Sequence, residues 1–456
     1  MIQYIHSVKR KCIFLSVLMF AGLLYFYVTS NPSRAYLINF NNEQIKVLKA
    51  EPPKVSTTKF PSSTTTTSRS SITTSKTVYN QEINKRLEEW WNERVKLRSN
   101  MSELGRILFL NEPPPKPSDK NFTILIWKYG PAIAYRHIQQ FTNVDHDPFE
   151  HCSTKNCRIT YKDEELTTAD MVVFQMHEME GTRDLPKNIQ QRNPDQIWTF
   201  LTDESPYHTF SKRFSYHLNS FDGVFNWSMT YRMDAEIPVP YGRTFIKEAI
   251  EGVPVNVTKR RDVLVAVMGS NCGGQNHRWD YVKKLSKFIR VDVYGDCGKE
   301  LKNGCPGHIS ADCTKLNEYM FYLAFENSNC DEYITEKVWW NSLSKFTIPI
   351  VMGGSKKSYD RTLPLDSYIT TEDFSTPEDL AKFVKQLNVT GEYVKYHQWR
   401  KYFRIENEHA YFKTRGVHYC RICEALNYNK RERKTYNKLD DYWSIRRDCH
   451  GSMVII

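Results

Sequence analysis

Between Phe325 and Ser342 the chain reads FENSNCDEYITEKVWWNS. Glu326, Asp331, Glu332, Glu336 and Lys337 stand there among Phe325, Tyr333, Ile334, Val338, Trp339 and Trp340. A solvated helix face has no use for so many rings, and a core does not tolerate so many ions. FYLAFEN reads as a buried strand and ITEKVWWNSL as the helix after it. At their junction Asn327, Ser328, Tyr333, Glu336 and Lys337 would project into a cleft, while Val338, Trp339 and Trp340 cover a sheet. A carboxylate at Glu336 can accept both hydroxyls of a ribose, and the adjacent lysine supplies a point charge for a diphosphate. The plainer reading is a helix N-terminus with ordinary solvated acids.

Upstream, VLVAVMGSNCGGQNHRWDYV sets Gly269, Gly273 and Gly274 between a strand and a helix starting near Asn276. Backbone amides can approach a phosphate there, helped by the positive end of the helix, and Arg278 can grip it through its fork. Alone, such a turn is more often only a turn. Together with the 325–342 stretch it describes a nucleotide site.

Two metal readings compete. Asp145 and Asp147 in VDHDP form an Asp-x-Asp pair, but it runs into Pro148 and the loop-like HCSTKNC, so no metal is expected there. Cys152 and Cys157 with Cys420 and Cys423 can give zinc four thiolates in a reducing compartment. In an oxidising one they are expected in two disulfides that tie the chain's end to its first half.

The elements that must position these residues are legible. FTILIWKY, DMVVFQMH, QIWTFLTD and DGVFNW read as buried strands, followed by DVLVAVMG, RVDVYGD, FYLAFEN, TIPIVMGG and SYITTED. HRWDYVKKLSKF, ITEKVWWNSLS and TPEDLAKFVKQL carry helical periodicity. Alternation of strand and helix implies two doubly wound parallel sheets, breaking near residues 247–260, with a cleft at the carboxyl ends of their strands. The chain of 456 residues is 40% hydrophobic, enough for two cores. Its net charge of +11 is spread out apart from KRKC and KRERK, which suits an anionic small molecule rather than nucleic acid.

The compartment follows from the start of the chain. Cys12 to Thr29 is uncharged and apolar, about 27 Å long as a helix, and follows Lys9, Arg10 and Lys11. The expectation is a cytosolic tail (1–11), a transmembrane signal-anchor (12–29) and a lumenal remainder. Residues 30–120 read as a Ser/Thr-rich extended stem with one amphipathic helix over Gln81 to Gly105. Sequons at Asn100, Asn121, Asn226, Asn256 and Asn388 all follow the anchor. Of eleven cysteines, setting aside Cys12 leaves an even ten; the pairing of Cys272, Cys297, Cys305, Cys313, Cys330 and Cys449 is open.

FENSNCDEYITEK followed by IPIVMGG, the SNCGG segment, DESPYH and FNWSMTYRMDAEIPVPYG together resemble the α1,3-fucosyltransferases, glycosyltransferase family 10, over about Phe122 to Cys423. The resemblance implies a GT-B-like pair of Rossmann-like domains. The first, 121–255, would bind acceptor and the second, 256–388, GDP-β-L-fucose; a segment 389–456 would return to the first domain. It implies inverting transfer to the 3-OH of N-acetylglucosamine, most of all in the N-glycan core, in the Golgi membrane. Acceptors in LacNAc or LacdiNAc antennae are the alternative, and a glycan-binding protein without turnover is the rival class. Carried over by motif, Ser270, Asn271, Arg278, Tyr294, Tyr322, Asn327, Tyr333, Glu336 and Lys337 would line the donor site, and Glu204 would be the general base. Asp203 is its neighbour and rival, but successive strand residues face opposite ways; His177 and His208 read as structural. GDP can leave against Arg278, Lys337 and helix amides in place of a metal, which would at most stimulate.

Overall fold

The computed structural model describes side chains at 82–130, 147–187, 192–210, 218–253, 259–306, 311–409, 416–432 and 434–451. Before residue 82 it describes the backbone of three strands and the start of a helix. The chain divides into two compact units, Met1–Ser75 and Lys76–Ile456.

In the first unit β1 (Ile13–Met19), β2 (Gly22–Val28) and β3 (Ala35–Asn39) form an antiparallel sheet in that order. Ile13 pairs with Val28 and Met19 with Gly22. The run expected as one membrane helix is thus two strands, and no helix among the described residues is long and apolar enough to cross a membrane. An unbroken apolar run does not fix its own period, and Ile13, Phe14, Val17, Tyr25, Phe26, Tyr27 and Val28 are strand formers. The expected cytosolic tail, 1–11, and most of the stem before residue 69 lie outside the described residues.

Helix α1 (Arg69–Val95) begins before the division at Ser75 and ends within the second unit, where α2 (Glu103–Leu110) follows. These replace the single helix expected over Gln81 to Gly105, because Ser102 caps α2 by accepting from Gly105 N at 3.0 Å. From Trp90 to Leu110 the stem is not extended but packed, whereas 111–120 is largely exposed and forms neither helix nor strand. Trp90 is buried and donates its indole N–H to Leu363 O at 2.9 Å. Arg94 is buried too, stacked 3.8 Å over Trp90 and donating to the carbonyls of Arg361, Thr362 and Thr244. Leu104, Leu108 and Phe109 bury the face of α2, each contributing about 1.5–3 kcal/mol. Apolar spacing that looked like an isolated helix was the underside of a docked one.

The first sheet comprises β4 (Phe122–Lys128), β5 (Cys157–Thr160), β6 (Met171–Gln175), β7 (Ile197–Thr202), β8 (Trp227–Thr230) and β9 (Ile237–Pro238). Its order is β5-β4-β6-β7-β8-β9, parallel throughout. The strand expected over DGVFNW starts only at Trp227, since Gly223 at φ 74° and the Val224 N–H to Phe221 O bond make a turn there. Next comes β10 (Gly242–Ile246).

The second sheet is built from β11 (Val265–Met268), β12 (Val291–Tyr294), β13 (Phe321–Phe325), β14 (Ile348–Met352) and β15 (Ile369–Thr370), in the order β12-β11-β13-β14-β15 and again parallel. Between its strands run α3 (Arg278–Leu285), α4 (Glu336–Trp339) and α5 (Lys356–Thr362). The helix expected over ITEKVWWNSLS keeps only the four residues of α4, ending before the poor helix formers Asn341 and Ser342. After α6 (Pro377–Thr390) the chain returns as β16 (Phe403–Asn407), antiparallel to β10, then α7 (His418–Tyr428) and α8 (Ile445–Asp448).

Helix α7 packs on α2 and β9, and disulfides Cys152–Cys420 and Cys157–Cys423 pin it beside the first sheet. Cys272–Cys297, Cys305–Cys313 and Cys330–Cys449 complete five pairs, so these thiols hold no zinc. Asn226, half-buried, donates to Lys434 O at 2.8 Å and accepts from Trp198 N and Arg192, while Ser228 is buried. Its amide is thus also a structural hydrogen-bonding group. Asn100 and Asn121 are exposed and Asn388 is half-buried; Asn256 lies outside the described residues.

Candidate active site

Each sheet reverses its strand order beside its first strand, between β4 and β6 and between β11 and β13. Ligands of such sheets bind at the carboxyl ends flanking the reversal. At β11 the chain enters the glycine turn, and at β13 it enters Glu326 to Tyr333. From the first sheet, β7 delivers Asp203, Glu204 and Ser205.

These segments meet. Tyr333 donates its phenol to the Glu204 carboxylate at 2.7 Å, and Asn327 reaches the same oxygen at 3.5 Å. Ser328 and Ser205, both buried, share a hydroxyl hydrogen bond of 2.7 Å. Burial, then the Glu204 carboxylate, holds the Tyr333 phenol well above its ordinary value, so it remains a donor. Asp203 turns the other way, accepting from His418 at 3.3 Å, and its carbonyl accepts from Tyr241 at 2.9 Å. Glu204 is thus the residue of the pair that faces the second half.

Behind this contact lies an ion cluster in which the expected site residues Glu336 and Lys337 are joined by Glu326, which sequence reasoning left out of the site. Glu326 is fully buried; it accepts from the Thr335 N–H at 2.8 Å, the Thr335 hydroxyl at 2.9 Å and Lys337 at 3.0 Å. Lys337 also reaches Glu336 at 3.2 Å and Thr335 Oγ1 at 2.8 Å. Burial raises the Glu326 carboxyl against the pull of Lys337. For Lys337 burial works downward, but Glu326 and Glu336 outweigh it and the ammonium stays charged. Lys337 therefore spends three N–H donors inside the protein, where the sequence suggested an open point charge. Gly353, at φ 151°, is needed here, since a Cβ would lie 2.8 Å from that of Glu326. The signal for Glu326 was a carboxylate closing an otherwise apolar strand.

Arg278 is likewise more structural than expected. It is buried and donates to Gly273 O at 3.1 Å, Phe325 O at 2.9 Å and Asn271 O at 2.8 Å, fastening the glycine turn to β13. Two of its five N–H donors lie outside those bonds. Desolvation lowers its pKa. Asn276, also absent from the sequence reading, donates to Glu326 O and Asn329 Oδ1. Ser270 and Asn271 are exposed on the turn, and Asn271 Oδ1 accepts from Gly273 N.

Two tyrosines fall differently. Tyr322 is buried beneath the ion cluster, its phenol accepting from Asn341 at 3.3 Å. Tyr294 is not in this group. Its hydroxyl bonds that of Tyr319 at 2.7 Å, which donates to Asp292, in a separate polar chain behind β12. Asp292 and Tyr294, two residues apart on β12, share a face and so both meet Tyr319. His208 is half-buried near Glu204, with desolvation lowering its pKa against that carboxylate; His177 bonds the His208 carbonyl at 2.9 Å.

Among the described residues, one group has metal-ligand spacing: Asp203, His409 and His418, with ligand atoms within 4.8 Å of one another. These side chains already serve the fold, His409 bonding Val239 O at 3.1 Å and stacking on Tyr241. Asp147 caps a turn by accepting from Phe149 N at 2.9 Å, and Asp145 lies outside the described residues.

Two parallel Rossmann-like α/β sheets, with a carboxylate of one held against the strand-end motif of the other, define an enzyme of the group-transfer type. Two family descriptions match it: "Fucosyltransferase, N-terminal" over residues 119–242 and "Glycosyltransferase family 10 (fucosyltransferase) C-term" over 258–443. Among relatives, Drosophila melanogaster glycoprotein 3-alpha-L-fucosyltransferase A is 33% identical over 302 residues, 64% of this chain and 55% of that protein. Human 4-galactosyl-N-acetylglucosaminide 3-alpha-L-fucosyltransferase FUT6 is 33% identical, covering 61% and 73%. Bovine alpha-(1,3)-fucosyltransferase 7 is 32% identical, covering 68% and 82%. The chain belongs to glycosyltransferase family 10, the α1,3-fucosyltransferases. A solved α1,3-fucosyltransferase with GDP-fucose overlaps 65% of this chain and 86% of its own at 14% identity and a TM-score of 0.39, too loosely to transfer residue positions.

Proposed function

We propose that this GT-B-like enzyme transfers L-fucose from GDP-β-L-fucose to the 3-OH of N-acetylglucosamine in glycoprotein glycans, with inversion. The observation that carries the reading is Glu204 of the first sheet, set against Tyr333 and Asn327 of the second. Glu204 takes the proton of the acceptor hydroxyl as that oxygen attacks the anomeric carbon. The new C–O bond forms opposite the breaking bond to the diphosphate, which leaves with the electron pair. Ser270, Asn271 and the free donors of Arg278 face the departing GDP; Lys337 and Glu326 fix Glu336 for the nucleoside or sugar hydroxyls. No step needs a metal: the charge on GDP is met by protein donors.

The innermost N-acetylglucosamine of N-glycans is the acceptor we favour; the name of the Drosophila relative supports a glycoprotein acceptor. Antennary LacNAc is the second reading, which the name of the human relative supports at equal identity. Offering defined core and antennary glycans with GDP-fucose and locating the added fucose by mass spectrometry decides between them. Five disulfides and the accessible sequons fit an oxidising lumen, and we place the enzyme in the Golgi with its catalytic body lumenal. The apolar run after Lys9, Arg10 and Lys11 would be its anchor only by leaving the paired strands β1 and β2 for a helix in the bilayer, where each backbone N–H must be satisfied within its own segment. Retention of the full chain in carbonate-washed membranes, and release when residues 1–29 are deleted, tests this.

A further inference from the structure

The end of the chain does more than return to the first half. From Lys434 it lies along the first half: Tyr436 exchanges backbone bonds with Phe225 and Gly223, and Leu439 N donates to Asp222 at 2.8 Å. Leu439 and Trp443 are buried, and Trp443 donates to Thr209 at 2.9 Å, five residues beyond Glu204. Helix α8 then crosses to the second half. Asp448 bonds Arg232 of the first half through its side chain, and its carbonyl accepts from Asp331 N at 2.8 Å. Cys449 is disulfide-bonded to Cys330, inside the FENSNCDEY segment. His450 N donates to Asn329 O at 2.9 Å, and Asn329 Nδ2 to Gly451 O at 3.3 Å. Asn329 in turn accepts from Asn276 of the glycine turn.

We propose that residues 434–451 form a strap that positions the donor motif against the base, with Cys330–Cys449 as its covalent clip. One end of the strap is fixed on the half that carries Glu204. The other is fixed within three residues of Asn327 and Tyr333, the groups that contact Glu204. Without the clip, the 326–333 loop is held to the first half by hydrogen bonds and by the ring of Tyr333 packed on Tyr231 and Tyr241, with no covalent tie. Misplacement of a reacting pair by about 1 Å can cost about 100-fold in rate. Cys330 and Cys449 are therefore positioning residues: they touch neither substrate.

The inference rests on the proposed use of GDP-fucose, so wild-type turnover in the same assay is its control; an inactive wild type would overturn that reading and not the strap. The test compares wild type with Cys330→Ser/Cys449→Ser and with the apolar pair Cys330→Ala/Cys449→Val, which keeps buried packing should the first fail to fold. Measured are kcat, KM for GDP-fucose, KM for acceptor, and GDP affinity by calorimetry. The expected result is a fall in kcat of about 10-fold or more and weaker GDP binding, with acceptor KM within about twofold. A folded variant with wild-type kcat and wild-type GDP affinity overturns the proposal. So does an equal loss on donor and acceptor sides, which general loosening of the fold would give.

Discussion

Tyr333 and Glu204 lie 129 residues apart in sequence, yet the phenol of one donates to the carboxylate of the other at 2.7 Å. The residue proposed as the base is therefore held by the half proposed to bind the donor. A lone carboxylate on a loop would need a partner to fix its rotamer; here the partner belongs to the FENSNCDEYITEK segment.

Replacing Glu204 by Gln keeps the hydrogen bond from Tyr333 but removes the proton acceptor. Transfer should fall by about 100- to 10,000-fold while GDP affinity stays within about threefold. Initial rates with calorimetric GDP titration check this; unchanged transfer would remove Glu204 from the mechanism.

Arg278→Lys preserves charge but not the fork that clasps three carbonyls. The glycine turn should loosen, raising KM for GDP-fucose by about 10-fold or more and leaving acceptor KM near wild type. Steady-state kinetics in both substrates is the measurement.

Glu326→Ala leaves Lys337 buried without its closest carboxylate. Breaking such a pair costs about 3–5 kcal/mol, so urea denaturation should show a large loss of stability along with lost donor binding. Glu326→Gln, which keeps the bond from Thr335, should lose less.

Asp448 should give the strap a pH dependence. Burial, against the pull of Arg232, pushes its carboxyl up to about 6 from an ordinary 3.8. Between these values the folded state binds the proton more tightly than the unfolded one, so stability from this group falls as pH rises through about 4 to 6 and is flat above. Denaturation midpoints across that window should lose part of this slope in Asp448→Asn; an identical slope would refute the assignment.

Trp90→Ala tests the docking of α1. With a buried ring and an indole bond to Leu363 removed, stability should drop by about 3–5 kcal/mol. A deletion ending before Glu82 should leave the melting temperature of the body unchanged, whereas one removing Trp90 and Arg94 should lower it.

What the sequence determined by itself was most of what repeats locally or sits in a continuous motif, though not the period of the Cys12–Thr29 run or the ends of several elements. Alternating apolar strands and amphipathic helices marked two parallel sheets, because a strand buried on both faces must be apolar along its length. FENSNCDEYITEK and the glycine turn marked the strand ends where charge collects. Tertiary structure decided which charges are open and which are spent. Lys337 and Arg278 are cations in either reading, but only folding brings Glu326, Thr335 and three backbone carbonyls onto them. The same holds for Tyr294, whose facing depends on strand register, and for Asn226, whose amide meets Lys434 only after the chain returns. Contacts between residues a hundred or more apart, Cys330 with Cys449 and Glu204 with Tyr333, carry no local period. Pairing among ten cysteines has no spacing rule either, so geometry alone could assign the clip that closes the strap.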